Sequence, residues 1–350
     1  MTDTARAIVP LPLAGALHET IWGGRALAER LGKALPADAV IGESWETADE
    51  SLVREGPYAG ESLAALVARL GVDLLGWRSV AVYGRRFPLL TKFIDAREQL
   101  SVQVHPDDAY AARHEHGKLG KTETWYVLHA EPGAQLIYGF ARAASADEVR
   151  RAIEQTQLEP LLHSFAPRPG DVIFVPPGTV HAIGGGILLY ELQEYSDVTY
   201  RLYDYGRLQA DGRPRELHVA RALEVLRYSP PLSVRATPLE AGAYGAGGSR
   251  RVLVACRYFV EEELRMAGHV ADTTTLASCQ ILTCLGGACT IETGDAAVRL
   301  QLGETAVLPA ALGAYTLHGE QARLMRAYVP EERDPAVHAW QAAQGEGVAR

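Results

Sequence analysis

The most distinctive chemistry in the sequence lies in the stretch LSVQVHPDD, residues 100–108. Side chains alternate between the two faces of a β-strand, so Gln103 and His105 are expected on the same face. Pro106 lacks a backbone donor and has a fixed φ, which predicts that the strand ends just after His105. An imidazole and an amide oxygen side by side at a strand end are typical of half a metal site. The competing interpretation is a buried strand whose polar side chains are satisfied by neighbours.

Two later stretches supply further ligand types. The sequence KTETWYVL alternates cleanly, so Lys121 and Glu123 are predicted to share a face. His181 follows the strand GDVIFV and the turn PPG. The resulting set comprises two imidazoles, one carboxylate and one amide oxygen: His105, His181, Glu123 and Gln103. Such a set suits a catalytic zinc ion with open coordination positions, and it equally suits non-haem Fe(II).

The composition is that of a soluble globular protein. The chain has 350 residues, of which 47% are hydrophobic and 22% charged, so we expect one large or two moderate domains. Its apolar runs are short and interrupted, which argues against a membrane span or a signal peptide. The net charge of −9 gives no general attraction for nucleic acid or membrane surfaces, so an anionic substrate needs local basic residues. Four cysteines without a CxxC pair predict a reduced, cytoplasmic protein.

Many short strands and few helices predict a mainly β protein built from two small barrels. Short strands punctuated by glycine beyond residue 250 indicate that the second barrel is all-β. Pro230-Pro231 is a plausible boundary, which gives a catalytic domain of residues 1–228 and a second domain of residues 229–350. Helical segments are predicted at 62–77, with a break at Gly71, and at 145–162 and 216–228.

An internal repeat supports the two-barrel architecture. The motif G-x5-P-x-G-x2-H that ends at His181 has the form of a signature of the cupins, jelly-roll barrels that often hold a metal ion. The stretch GETAVLP, residues 303–309, begins in the same way, but Ala311 and Ala314 stand where the first copy has glycine and histidine. We therefore expect a second cupin-type barrel that has kept the turn and lost the metal ligand.

Five stretches together resemble the type I mannose-6-phosphate isomerases, also called phosphomannose isomerases, and more closely their short bacterial class. The resemblance covers residues 8–228 and rests on IWGG, IGESWE, FPLLTKFIDAREQLSVQVHPDD, GKTETWYVL and GDVIFVPPGTVHAIGGGILLYELQEYSDVTYRLYDYGR. It implies a cupin fold, one zinc ion per chain and a hexose 6-phosphate substrate, with mannose 6-phosphate and fructose 6-phosphate interconverted. The large helical insert of the long members is absent here.

Carried over by position, the resemblance implies a zinc shell of Gln103, His105, Glu123 and His181. It assigns Lys121, Glu191 and Arg201 to catalysis. It assigns Lys92, Ser101 and Arg207 to substrate binding, with Arg207 at the position of a basic phosphate-contacting residue of the longer members.

Aldose–ketose isomerisation requires a base that takes a proton from carbon and returns it to the neighbouring carbon. Lys121 beside a metal ligand is one candidate, since a nearby cation favours the neutral amine, and Glu191 is the other. The sequence does not decide between them. Lys121 could instead pair with Glu123, and Glu191 with Arg201, as purely structural ion pairs.

Two other functions are compatible with the same ligands. One is an Fe(II)-dependent cupin oxygenase, which would not need Lys121, Arg201 and Arg207 beside the metal. The other is a non-catalytic cupin that binds a sugar phosphate, against which the intact metal ligands argue. The sequence does not indicate an oligomeric state.

Overall fold

The computed structural model describes residues 7–209, 211–294 and 296–344, and it is mainly β, as predicted. The strands are β1 Leu11–Ala14, β2 Ala16–Gly24, β3 Ile41–Trp45, β4 Leu52–Val53, β5 Leu89–Ala96, β6 Val102–Val104, β7 Glu123–Ala130, β8 Leu136–Phe140, β9 Leu162–Phe165, β10 Val172–Val175, β11 His181–Ile183, β12 Ile187–Glu194, β13 Tyr200–Tyr203, β14 Leu239–Tyr244, β15 Gly248–Ala255, β16 Val260–Met266, β17 His269–Thr273, β18 Gln280–Glu292, β19 Ala297–Gln301, β20 Thr305–Leu308 and β21 Ala314–Tyr328. The α-helices are α1 Ala26–Leu31, α2 Leu63–Leu70, α3 Val72–Leu75, α4 Trp77–Tyr83, α5 Asp108–His114, α6 Ala146–Glu154, α7 Val219–Val225 and α8 Pro335–Gln344.

Two antiparallel sheets form the first barrel. One has the strand order β10-β7-β12-β5-β3-β2, and the other has the order β13-β6-β11-β8-β9. Apolar side chains from both sheets, such as Trp125 and Ile183, fill the space between them. These two sheets make up the predicted cupin-type barrel.

Alternation along β12 explains how polar groups come to lie inside this barrel. Ile187 and Leu189 belong to the barrel core, whereas Leu188 and Tyr190 pack into the core shared with the C-terminal sheet. Because side chains alternate with a period of two, Glu191 lies on the same face as Ile187 and Leu189. The strand is buried along its whole length, so this face presents a carboxylate to the barrel interior.

A ten-stranded sheet forms the second part of the molecule. Its main path is β14-β15-β16-β21-β18-β20-β1-β4, with β17 paired to β21 and β19 to β18. The N-terminal strand β1 lies in this sheet, because Leu11 pairs with Val307 of β20. The division at residue 228 remains a prediction, and the N-terminal strand crosses it.

The repeat detected in the sequence corresponds to equivalent structure in both halves. Gly170 and Gly303 both have positive φ, at 91° and 82°, in the turns that lead into β10 and β20. Each of these strands is followed by a proline and a short connection to the next strand, β11 in the first copy and β21 in the second. Among the described residues, the only cluster of histidine, cysteine and acidic side chains suited to a metal involves the first copy.

The helical segment predicted over residues 62–77 is broken at Gly71, as expected, and also at Gly76, which was not predicted. Gly71 and Gly76 have positive φ and divide the segment into α2, α3 and the start of α4. A Cβ atom on Gly76 would lie 2.3 Å from the carbonyl oxygen of Ala277, so this glycine also allows close contact with the C-terminal part of the chain.

The other two predicted helices are too long. The helix that begins after Ser145 ends at Glu154, because Thr156 adopts φ of 56° and Pro160 cannot continue a helix interior. The helix predicted over 216–228 is confined to Val219–Val225, since the backbone N–H of His218 donates to Arg201 of β13. Within the described residues, no helix is long and apolar enough to cross a membrane. All four cysteines are buried and free.

Trp340 of α8 connects the C-terminal helix to both parts of the molecule. Its ring packs edge-on against Phe174 of β10, and its indole N–H donates to the carbonyl of Leu253 at 2.8 Å. We predict that Trp340→Ala lowers the free energy of unfolding by about 3–5 kcal/mol, because it removes a buried aromatic side chain. Chemical denaturation measures this loss. The exposed neighbour His338, changed to alanine, is the control, and equal stability of the two variants would contradict this role of α8.

Candidate metal centre and its surroundings

The facing sheets of the first barrel bring the predicted ligands to one point. His181 at the start of β11 lies opposite Gln103 of β6 in the same sheet, and Glu123 begins β7 in the other. One ligand atom each of His105, Glu123 and His181 lies within 4.8 Å of the others, and all three residues are buried. The strand positions therefore account for the convergence of residues that are far apart in sequence.

Backbone carbonyls fix the tautomer of both imidazoles. Nδ1 of His105 lies 2.9 Å from the carbonyl oxygen of Val198, and Nδ1 of His181 lies 2.9 Å from that of Thr179. Since a carbonyl can only accept, each Nδ1 carries the proton and each Nε2 has a free lone pair. Burial lowers the pKa of both histidines, that of His181 to about 4, which keeps them in the neutral form that binds metals.

The Glu123 carboxylate lies between these two nitrogens. Nε2 of His181 is 3.3 Å from one of its oxygens, and Nε2 of His105 is 3.5 Å from the other. Apart from the Lys121 ammonium 2.6 Å from Oε2, neither oxygen has a hydrogen-bond partner among the described residues. Burial raises the pKa of Glu123, because a carboxylate away from water is costly unless it is paired or coordinated. This donor set fits a divalent metal ion.

Gln103 reaches the same space from β6. Its side-chain nitrogen lies 3.3 Å from Nε2 of His181. Rotation of the amide by half a turn would direct the oxygen to that position instead. Gln103 therefore remains a predicted fourth ligand.

Glu191 is held by a neighbour on each side. It lies directly opposite Lys92 of β5 and Trp125 of β7. The Lys92 ammonium is 3.1 Å from one carboxylate oxygen, and the Trp125 indole donates to the other at 3.0 Å. Burial alone would raise the pKa of Glu191, but the cations of Lys92 and Lys121 lower it overall. Glu191 is thus ionised and pairs with Lys92 rather than with Arg201.

Sequence reasoning missed Glu43, which lies on the other side of Lys92. A Glu43 oxygen is 3.6 Å from the ammonium, and the same cation lies 4.8 Å from the centre of the Trp45 ring. Burial alone would lower the pKa of Lys92, but Glu191 and Glu43 together raise it. Glu43 and Trp45 are two residues apart on β3, in the stretch IGESWE. This spacing is the feature of the sequence that could have identified Glu43 as a neighbour of the site.

The remaining predicted residues lie at the other end of β6. Nε of Arg201 donates to the hydroxyl of Ser101 at 3.2 Å, so these two residues meet as expected. Arg207 pairs with Asp204, which sequence reasoning did not single out. Asp204 also binds Arg215, a second residue that was missed, because it lies on the far arm of a loop whose contacts are not local in sequence.

Comparisons with known proteins find relatives for both parts of the chain. The family model for the phosphomannose isomerase type I catalytic domain matches residues 11–132, and the model for the mannose-6-phosphate isomerase cupin domain matches residues 250–329. Mannose-6-phosphate isomerase of Streptococcus mutans and ManA of Bacillus subtilis, also a mannose-6-phosphate isomerase, are each 38% identical to the chain. Both alignments cover 89% of this chain and 96% of the relative.

Solved structures show the same fold. The crystal structure of the mannose 6-phosphate isomerase from Bacillus subtilis superposes with a TM-score of 0.80 at 35% identity, covering 91% of this chain and 99% of that chain. A mutant phosphomannose isomerase from Salmonella typhimurium shares the fold at 18% identity, with a TM-score of 0.75 and coverage of 92% and 100%.

The donor set predicts that the purified protein holds about one divalent transition-metal ion per chain. His181→Ala and His105→Ala should each abolish metal binding, because only two strong ligands then remain. His269→Ala, an exposed histidine of the second barrel, is the control and should retain the metal. Elemental analysis checks these outcomes. Active protein without a transition metal would contradict the prediction, as would a stoichiometry near two.

Proposed function

The chain belongs to the type I phosphomannose isomerase family, and from this we propose that it interconverts mannose 6-phosphate and fructose 6-phosphate at the metal centre. One observation carries the proposal: the ligand set and Lys121 meet at a single buried point of the first barrel. Family membership argues against the oxygenase and against the non-catalytic binding protein.

We propose zinc as the metal, with Gln103, His105, Glu123 and His181 as its ligands. Two neutral imidazoles, a carboxylate and an amide oxygen form an acceptable zinc shell that leaves room for substrate. When bound, the ion would act as a Lewis acid that polarises the sugar oxygens at C1 and C2. The free, buried cysteines agree with a reducing compartment, and we propose the cytoplasm.

Lys121 is the better placed of the two candidate bases. Its ammonium lies 2.6 Å from Glu123 and 3.1 Å from Nε2 of His105, where the reacting end of the sugar would approach the metal. The Glu191 carboxylate already binds the Lys92 ammonium and the Trp125 indole, and its lowered pKa makes it a weak base. We therefore propose that Lys121 acts as the neutral amine, the form that a metal cation beside it would favour, and that it takes the proton from one carbon and returns it to the other. Glu191 would keep Lys92 oriented towards the sugar.

We propose that Lys92 and Arg201 supply two further cations for the bound sugar. Lys92 is anchored by Glu43 and Glu191, so its position is fixed before substrate arrives. Arg201 is anchored by Ser101 and by the carbonyl of Glu216 at 2.9 Å. Cations held in place in this way stabilise negative charge that develops on the sugar oxygens without a cost of reorganisation.

A coupled assay for fructose 6-phosphate production tests the function directly. We expect turnover of mannose 6-phosphate that is lost with a chelator and restored by zinc. The His269→Ala variant should have the same turnover as the unmodified enzyme, since that residue lies in the second barrel. Turnover that persists after complete metal removal would overturn the proposal.

The identity of the base generates a separate prediction. Lys121→Met should lower kcat by about 10²–10⁴-fold, because it removes the group that transfers the proton. Glu191→Gln keeps the shape of the side chain and should cause a smaller loss, through the orientation of Lys92. In heavy water, fructose 6-phosphate should acquire deuterium at C1, as a proton held on a side chain exchanges with solvent.

Three outcomes would contradict this assignment. A larger loss of kcat in Glu191→Gln than in Lys121→Met would identify Glu191 as the base. Near-normal kcat in Lys121→Met would exclude a role for Lys121 in proton transfer. Complete retention of the substrate hydrogen over many turnovers in heavy water would favour a hydride shift.

A further inference from the structure

We propose that Arg215 and Asp204 complete the phosphate subsite: Arg215 contacts the phosphate, and Asp204 is a positioning residue that aims Arg207 and Arg215 at it. This proposal rests on the proposed function for the identity of the phosphate as that of a hexose 6-phosphate. Neither residue was a candidate from the sequence.

Asp204 is a buried carboxylate that binds two guanidinium groups. Its Oδ1 accepts from Arg207 at 2.5 Å and from Arg215 at 2.6 Å, and its Oδ2 accepts from Nε of Arg215 at 2.8 Å. Burial by itself would raise the pKa of Asp204, but hydrogen bonds and charges from the two arginines lower it overall. The carboxylate is therefore ionised and holds Arg215 through a two-point contact, which fixes the plane of that guanidinium.

Arg201 adds a third cation to the same place. One of its terminal nitrogens donates to the carbonyl of Glu216, the residue that follows Arg215, at 2.9 Å. Three guanidinium groups and one carboxylate leave a local excess of two positive charges. A phosphate monoester near neutral pH carries close to two negative charges. The cluster thus matches the charge of the phosphate in a chain whose net charge is −9.

Each guanidinium retains a donor that no described residue uses. Arg201 uses Nε for Ser101 and one terminal nitrogen for a backbone carbonyl, and its other terminal nitrogen has no such contact. Arg215 donates to Asp204 through Nε and one terminal nitrogen, and its other terminal nitrogen has no contact with a described residue. Arg207 binds Asp204 and the carbonyl of Gln99, and its buried Nε has no hydrogen-bond partner among the described residues. A phosphate offers acceptor oxygens for several such donors.

Strand β6 relates this cluster to the metal centre. Ser101, Gln103 and His105 lie at alternate positions, and Arg201 pairs directly opposite Gln103. Two residues along a strand span about 6.6 Å, so Ser101, which accepts a hydrogen bond from Arg201, lies about that far from the predicted ligand Gln103. This displacement is comparable to the reach of a six-carbon sugar, so one molecule can contact the metal at one end and the arginines at the other.

The experiment compares steady-state kinetics of the zinc-loaded enzyme with those of three variants. Arg215→Ala should raise KM for mannose 6-phosphate by about 10- to 100-fold, because a charge-assisted contact is lost, while kcat changes far less. The inhibition constant for inorganic phosphate should rise in parallel. Arg213→Ala removes an exposed arginine from the same loop and is the matched control, with no change expected.

Asp204→Asn separates positioning from general attraction. The substitution makes the cluster more positive, so attraction alone would lower KM and tighten inhibition by phosphate. If Asp204 acts by orienting two arginines, both constants rise despite the added charge. Thermal melting confirms that each variant is folded. If Asp204→Asn fails to fold, comparison of Arg215→Ala with Arg215→Lys tests the proposal instead. Lysine keeps the positive charge but cannot make the two-point contact with Asp204. Arg215→Lys should therefore recover only part of the affinity that Arg215→Ala loses.

Two results would overturn the proposal: kinetics of Arg215→Ala that equal those of Arg213→Ala, or tighter binding in Asp204→Asn. The proposed function fails in a different way, through absence of isomerisation by the unmodified enzyme. In that case, calorimetric titration with inorganic phosphate still tests the subsite, because it needs no turnover. Loss of that binding in Arg215→Ala but not in Arg213→Ala would support the subsite by itself.

Discussion

The structure of the first barrel depends on one costly group, the Glu123 carboxylate buried between two imidazoles. The Lys121 ammonium is the one cation that pairs with it among the described residues, so its charge must be balanced by cations held within the barrel. The imidazoles cannot supply that charge, since burial keeps them neutral. The barrel is therefore arranged around a position where a dication is electrostatically favoured, and the adjacent ion pairs keep further charges oriented towards it.

The second sheet contributes to this arrangement without contributing ligands. The strands that carry Lys92 and Glu191 have their opposite faces in the large core that also includes strands of the C-terminal sheet. Residues such as Phe93 and Tyr190 are fully buried there. Close packing of such buried side chains resists displacement of a strand, so polar groups on the inner face of the barrel keep their spacing. A rigid support of this kind is what a site with fixed charges requires.

The sequence predicted the centre of the site better than its edges, for physical reasons. Alternation on β6 and β7 placed His105 and Glu123 on inner faces, because a strand has a fixed period and a slip of one residue would expose its apolar side. The spacing of Ser101 and Arg201 from the metal ligands followed from the resemblance. Asp204 and Arg215 were missed because their partners are set by the path of a loop, which has no period. The helix that begins after Ser145 was predicted too long because Thr156 gave no signal of its positive φ.

The position of β1 has a consequence for how the chain reaches this structure. Its partner β20 lies almost 300 residues later in the chain, with Leu11 opposite Val307. Until that partner has been synthesised, β1 and the short β4 beside it have nothing in the C-terminal sheet to pair with. Closing so long a loop is entropically unfavourable, and contacts of such separation slow folding. During synthesis β1 is thus an apolar strand without its sheet partner until β20 has been made, and it is exposed to wrong pairing or to a chaperone.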